Sequence, residues 1–269
     1  MFELNLLTLN IANPSVERAR RQLAWLGGRP EDVFVLTETK ASEGCRTLAE
    51  AFTTAGYAVV FPEPAAGELG VMIASKFAAE PDPVTNALTY LPSRAAGANV
   101  STSVGDLRIL AAYAPSRDAT PEKTERKKRW LANFTTALTD AGSRPCLLLG
   151  DLNVLEPDHD PHYGFFAPFE YDFYRDLTDR CGLVDAFRHL HPQTTEHSWV
   201  GRTGDGYRYD HAHCSTDLAT LLRSCEYLHE PRLTRLSDHS ALTVCLNLAP
   251  VSPLLTSDPV EAASEPTLF

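Results

Sequence analysis

Seven short apolar runs punctuate the chain: Leu4–Leu9, Val33–Leu36, Ala58–Phe61, Val71–Ala74, Leu107–Ala112, Cys146–Leu149 and Val244–Leu248. Runs this short, rich in Val, Ile and Leu, predict strands buried on both faces. Helical periodicity fills the gaps. Ser15 is placed as N-cap of a helix over Val16–Leu26, which ends at Gly27-Gly28. A second helix over Ser42–Ala55 ends at Gly56. Thr120-Pro121-Glu122 offers a cap, a proline at the first helical position and an acid in the first turn, predicting a helix to about Ala141. Glu170–Cys181 and Leu218–Ser224 are shorter helical candidates. Strands and helices in mixed order predict a layered α/β sandwich. No repeat at solenoid spacing interrupts it. From Pro250 the chain becomes Pro-, Ser- and Glu-rich without periodicity. One domain over 1–249 and a disordered tail over 250–269 are therefore expected.

Composition changes this picture little. Of 269 residues, 43% are hydrophobic and 22% charged, as in ordinary globular proteins. No apolar stretch reaches the roughly 18 residues of a membrane span. The N-terminus reads as a first strand, not a signal peptide. Cys45, Cys146, Cys181, Cys214, Cys225 and Cys245 form no C-x-x-C pair, and their scatter predicts buried thiols in a reducing cytoplasm. The net charge of −11 matches poorly with gripping DNA by charge alone. Carboxylates that hold a metal would also count in that total.

The candidate chemistry sits where strands end. Asn10, Glu38, Tyr113, Asp151 and Asn153 each follow an apolar run, and strand ends are where α/β folds assemble sites. In Gly150-Asp151-Leu152-Asn153 an extended backbone would put both polar side chains on one face. An ionised Asp takes protons and cations, and an Asn amide donates to anionic oxygen. Asp238-His239 pairs an acid with an imidazole. Either motif alone also reads as a polar turn.

Together these residues resemble the endonuclease/exonuclease/phosphatase superfamily. The matching set is Asn10, Glu38-Thr39-Lys40, Tyr113-Ala-Pro115, Gly150-Asp-Leu-Asn153, Tyr207-Arg208-Tyr209-Asp210 and Ser237-Asp238-His239. Gly182-Leu-Val-Asp-Ala-Phe-Arg188-His189, Pro192-Gln-Thr194 and His197-Ser-Trp199 look like the exonuclease III, or abasic-site endonuclease, branch. The resemblance implies a four-layer α/β/β/α sandwich with two packed mixed sheets. It implies Glu38, Asp238 and Asn10 around Mg²⁺ or Mn²⁺, a sparse set that suits an ion retaining its waters. Asp151 would activate water, and Asn153 and Tyr113 would donate to the phosphate. His239, oriented by Asp210, would stabilise developing charge. Arg117, Trp199 and Arg208 are expected to bind substrate.

Three features depart from that branch. Ala12 stands where an acid or amide is usual, the stretch from Trp199 to Arg208 is short, and Leu155–Glu170 carries Pro157, Pro161 and Pro168 beside the Asp151 loop. Lys123, Arg126, Lys127, Lys128 and Arg129 read as a solvated basic helix face more than as a phosphate track. The His159/Asp160/His162 and His211/His213/Cys214 groups lack structural zinc spacing. The expected activity is hydrolysis of nucleic acid, DNA more than RNA. The alternatives are a phosphatase or phosphodiesterase on a small-molecule or lipid ester, and a non-catalytic nucleic-acid-binding module. The intact acid, amide and histidine set argues against the last.

Overall fold

Strands apolar on both faces need cover on both. The computed structural model, which describes residues 3–159 and 163–264, provides it with two stacked six-stranded sheets between helices. The strands are β1 (Leu4–Asn10), β2 (Val33–Thr39), β3 (Ala58–Val60), β4 (Gly70–Ser75), β5 (Ala79–Pro81), β6 (Ala95–Thr102), β7 (Gly105–Tyr113), β8 (Cys146–Asp151), β9 (Leu183–Asp185), β10 (Trp199–Val200), β11 (Gly206–Tyr207), β12 (Asp210–Ser215), β13 (Leu222–Leu228) and β14 (Ala241–Leu246). One sheet runs β13-β14-β1-β2-β4-β3, the other β5-β6-β7-β8-β12-β9, and β10-β11 form a separate hairpin. Both sheets are mixed, with β1–β2 and β7–β8 the parallel pairs.

Three apolar layers hold the sandwich. Leu4, Leu6, Val33, Val35 and Ile73 meet Ile109, Leu147, Leu149 and Ala212 between the sheets. Helices α1 (Val16–Gly27) and α2 (Glu43–Thr54) bury Leu23, Leu26, Leu48 and Phe52 against Leu7, Leu9, Phe34 and Leu36. Helices α3 (Pro121–Asp140) and α4 (Pro168–Asp179) bury Trp130, Phe134, Phe173 and Leu177 against Leu110 and Leu148. The expected four-layer order is therefore present. No helix among the described residues is long and apolar enough to cross a membrane.

The departures have local causes. Leu218–Ser224, expected as helix, is one helical turn followed by β13. The four-residue spacing of Leu218 and Leu222 imitates a helix. Beyond it, Cys225 and Tyr227 alternate with exposed residues and pair with β14. Strand β6 consists mostly of small residues, three of them alanine, and has no strand signal. A Cβ on its Gly97 would lie 2.7 Å from the Asp82 Cβ, so close packing sets its composition. Ser15 caps α1 by accepting from the Arg18 N–H, whereas the Thr120 hydroxyl bonds Asp118 instead of capping α3.

Residues 250–264, where disorder is expected, follow an ordered course. Val251, Leu254 and Ser257 donate backbone hydrogen bonds to Ser101, Lys76 and Ala55 on the body. A helix at Pro259–Ser264 then packs on α1 and α2. Partners for the backbone, not apolar periodicity, order this strap.

Candidate active site

Strand direction gathers the candidates at one rim. Parallel β1 ends at Asn10 and β2 carries Glu38 as its next-to-last residue, and parallel β7 and β8 end at Tyr113 and Asp151. Antiparallel β12 begins at Asp210, in register with Asp151, and β14 begins just after His239. The pairing of β2 with β4 shifts between Thr37 and Thr39, which makes Glu38 the extra residue of a bulge, at φ 59°. Bulges re-aim side chains beside active sites. Gly150 is required where β8 meets β7: its φ is 142°, and a Cβ would lie 2.0 Å from the Ala112 carbonyl oxygen.

Side chains from both sheets meet at the rim. The fully buried Asn10 amide donates to Glu38 Oε2 at 3.0 Å and to Asp151 Oδ2 at 2.9 Å. Tyr113 Oη donates to Glu38 Oε2 at 3.2 Å. His239 places Nδ1 2.7 Å from Asp210 Oδ2 and Nε2 4.0 Å from Asp151 Oδ2. Burial, reinforced by the Asp210 charge, pushes the Asp151 carboxyl up to about 7. Burial opposes the His239 imidazolium, but the charge and hydrogen bond of Asp210, with Asp151 behind, push it up to about 10. Burial and then the Glu38 and Asp151 charges push the Tyr113 phenol well up, so it stays a donor. Two serines that the matching motifs contain, but to which no role was assigned, tie these parts together. Ser237 Oγ donates to the Asn10 carbonyl at 2.5 Å and accepts from the His239 N–H, and Ser198 Oγ accepts from the Asp210 N–H. Their only signal is their place in those motifs.

Asn153 also reaches the cleft, by a different backbone path from the expected one. It is not on an extended strand but left-handed, at φ 49°, with its N–H on Asp151 Oδ1 at 2.9 Å. The turn reading and the site reading of this motif thus hold together. Its side-chain amide donates to the Ala114 carbonyl at 3.0 Å. The cleft, about 480 Å³, is walled by Phe165, Phe166, Trp199 and Tyr209, with Asp238 at its edge accepting from Trp199 Nε1 at 3.2 Å. Phe165 and Phe166 come from the Leu155–Glu170 segment, which therefore supplies one wall of the cleft. Arg117 lines the cleft, but its guanidinium is engaged by Glu170 and by the Phe165 carbonyl and lies over the Phe165 ring.

Arg208, expected to bind substrate, is not brought to the cleft. It is fully buried, with Nη2 at 2.9 Å from Glu156 and 2.8 Å from Asp185. Arg188 closes the cluster on Glu156, and Tyr174 donates to Asp185. Burial works against an ionised Glu156, yet Arg188 and Arg208 overcome it and hold the carboxyl at about 2. A depressed folded-state pKa stabilises the fold fully above the unfolded value of roughly 4.3 and loses that contribution as pH falls toward 2. Acid titration of stability should therefore show a loss on the order of 2–3 kcal/mol in that window. Glu156→Gln should lack this part of the slope; equal slopes in the two proteins would refute the assignment.

Several weaker readings are also resolved by position. His211 and His213 share a face of β12, but Cys214 points the other way into the core between the sheets. Asp185 takes its place, 3.6 Å from His211 Nδ1. Because Arg208 already neutralises Asp185, a cation there would face a buried guanidinium. Asp160 and His162 lie outside the described residues. On the basic helix, Lys123 pairs with Asp118, Arg126 with Glu68, and Lys127 with Glu170.

Glu38 and Asp238 both line the cleft and offer carboxylate oxygens, the donor type that a hard divalent cation takes. The Asn10 amide instead holds two carboxylates together, and its carbonyl oxygen accepts from the Ala12 N–H. Asp151, Asp210 and His239 also lie close enough for a metal.

Known proteins share this arrangement of sheets. A profile described as the Endonuclease/Exonuclease/phosphatase family matches residues 7–239. A structure of an AP endonuclease from Archaeoglobus fulgidus superposes with TM-score 0.76 at 24% identity, covering 91% of this chain and 99% of that one. The 3′-5′ exonuclease NExo from Neisseria meningitidis gives 0.76 at 27% identity, covering 90% and 98%. A Neisseria 3′ phosphatase NExo bound to a product DNA hairpin gives 0.75 at 26%, with the same coverage.

Proposed function

The chain belongs to the endonuclease/exonuclease/phosphatase family, and from that premise we propose that it is a divalent-metal-dependent phosphodiester hydrolase that cuts DNA in the manner of exonuclease III. It would act as a 3′-5′ exonuclease or an abasic-site endonuclease. The observation that carries this reading is the pairing of Asp151 and His239, 4.0 Å apart across one cleft. Asp151, with a carboxyl near 7, can take a proton from water at neutral pH. The His239 imidazolium, with Nδ1 held by Asp210, presents Nε2 to a phosphate oxygen. Asn153 contributes the remaining donor of its amide. A cation on Glu38 and Asp238 would neutralise charge on the phosphate. Trp199, Tyr209 and Phe166 offer apolar faces to a sugar or base. The DNA hairpin in the Neisseria 3′ phosphatase supports DNA as substrate.

One assay tests the reading. Nicked or abasic duplex DNA, single-stranded DNA or RNA, and small phosphodiesters are each incubated with Mg²⁺, with Mn²⁺ and with chelator. Cleavage of the duplex that chelator abolishes is expected. Turnover of a small ester and of no polymer would move the substrate class to small-molecule phosphoesters, consistent with the engaged Arg117 and the net charge of −11. Activity that survives chelation would remove the metal.

A further inference from the structure

Helix α3 buries Trp130, Leu131, Phe134 and Leu138 along one stripe, and Lys127 occupies the next position of that stripe. Its side chain is 1% exposed. A leucine there, with an apolar residue also at position 170, would extend the apolar face, and such replacement of a whole buried ion pair is often neutral or stabilising. Packing therefore gives no reason for a lysine. Its contacts do. Nζ donates to the Asn153 carbonyl at 2.5 Å and to Glu170 Oε1 at 2.6 Å. Glu170 is itself fully buried, and its other oxygen accepts from Arg117 and from the Ala167 N–H. Burial lowers the pKa of the ammonium, and Glu170 opposes that shift.

The carbonyl that Lys127 grips belongs to the left-handed residue that places an amide in the cleft. The other polar groups of Asn153 are tied to the site as well: its N–H to Asp151 Oδ1 and its side chain to the Ala114 carbonyl. Lys127 grips the carbonyl of that peptide from a side chain that is almost fully buried at the cleft wall. The geometry points to Lys127 as a positioning residue of the reaction: its ammonium, with Glu170 as counter-ion, fixes the Asn153 peptide so that the amide of Asn153 is aimed at the phosphoester. This inference rests on the phosphoester reading of the cleft and adds to it a residue that acts through Asn153.

Misaiming a donor that acts in the transition state lowers kcat more than it raises KM. Lys127→Met, Asn153→Ala and the double variant are compared in the full chain on whichever phosphodiester the unaltered protein hydrolyses. The expected result is a kcat roughly 10- to 100-fold lower in Lys127→Met, with KM within about threefold when measured well below the melting transition, and a lower Tm because buried Glu170 keeps only Arg117 as its cation. In the Asn153→Ala background the same change should cost less than about threefold, because the aimed group is already gone. Should Lys127→Met not fold, the isosteric Glu170→Gln loosens the ammonium, and it should show the same non-additivity with Asn153→Ala. Equal losses in both backgrounds, a kcat within twofold of the original, or a change confined to KM would overturn the inference alone. An unaltered protein that hydrolyses no phosphoester would overturn the phosphoester reading and this inference with it.

Discussion

Asp151→Asn is expected to lower kcat about a thousandfold or more while Tm stays within about 5 °C. The exchange keeps the shape of the side chain and its ability to accept from the Asn153 N–H. It removes the group proposed to take a proton from water. It also turns one amide N–H₂ toward Asn10, which already donates to both Asp151 and Glu38, so one hydrogen bond at the rim is lost. Against that loss, a fully buried carboxylate disappears whose ionisation burial opposes. The two effects offset in stability and do not offset in turnover. Steady-state kinetics with a thermal melt on the same preparation checks both halves. Turnover within tenfold of the original would remove Asp151 from the chemistry, and a large drop in Tm would make the kinetic loss a folding loss.

Arg208→Met should behave in the opposite way. Loss of the guanidinium leaves Glu156 and Asp185 facing each other below the surface, with Arg188 as the remaining cation on Glu156. Breaking a buried pair by removing one partner costs about 3–5 kcal/mol. Chemical denaturation should show that loss, while kcat/KM measured well below the melting transition stays within a few fold. A raised KM with unchanged stability would instead place Arg208 on the substrate.

The sequence announces Arg208 and Asp210 two apart in one motif, a spacing that on a strand would give both the same face, yet β12 begins only at Asp210 and Arg208 lies just before it, outside any strand. Asp210 turns to His239 and Arg208 to Glu156. Spacing alone does not say which face looks into the cleft. The apolar runs were legible because burial on both faces leaves an uninterrupted signal, and β1, β2, β4, β7 and β8 follow from it. Strands β6 and β12 were not. The first is made of small residues set by close packing against Asp82, and the second carries Asp210, His211 and His213 in its interior. Lys127 was legible as a charge and misleading as a surface: a run of basic residues hides the one that points inward until the helix phase is fixed by Trp130 and Phe134. Glu38 could be found as a residue at a strand end, but the bulge that aims it has no mark in the sequence.

Among the described residues the two sheets share no backbone ladder. At the rim they are joined by side chains: Asn10 of the first to Asp151 of the second, Tyr113 of the second to Glu38 of the first, and His239 before β14 to Asp210 at the start of β12. The catalytic alignment is thus a measure of how the two halves of the sandwich are seated on each other. Val35, Ile109 and Leu149, far from any phosphate, set that seating through the apolar layer between the sheets. In the descent of such a sequence, these interior positions evolve under two demands at once, and a change that merely shears the halves would silence the enzyme before it unfolds it.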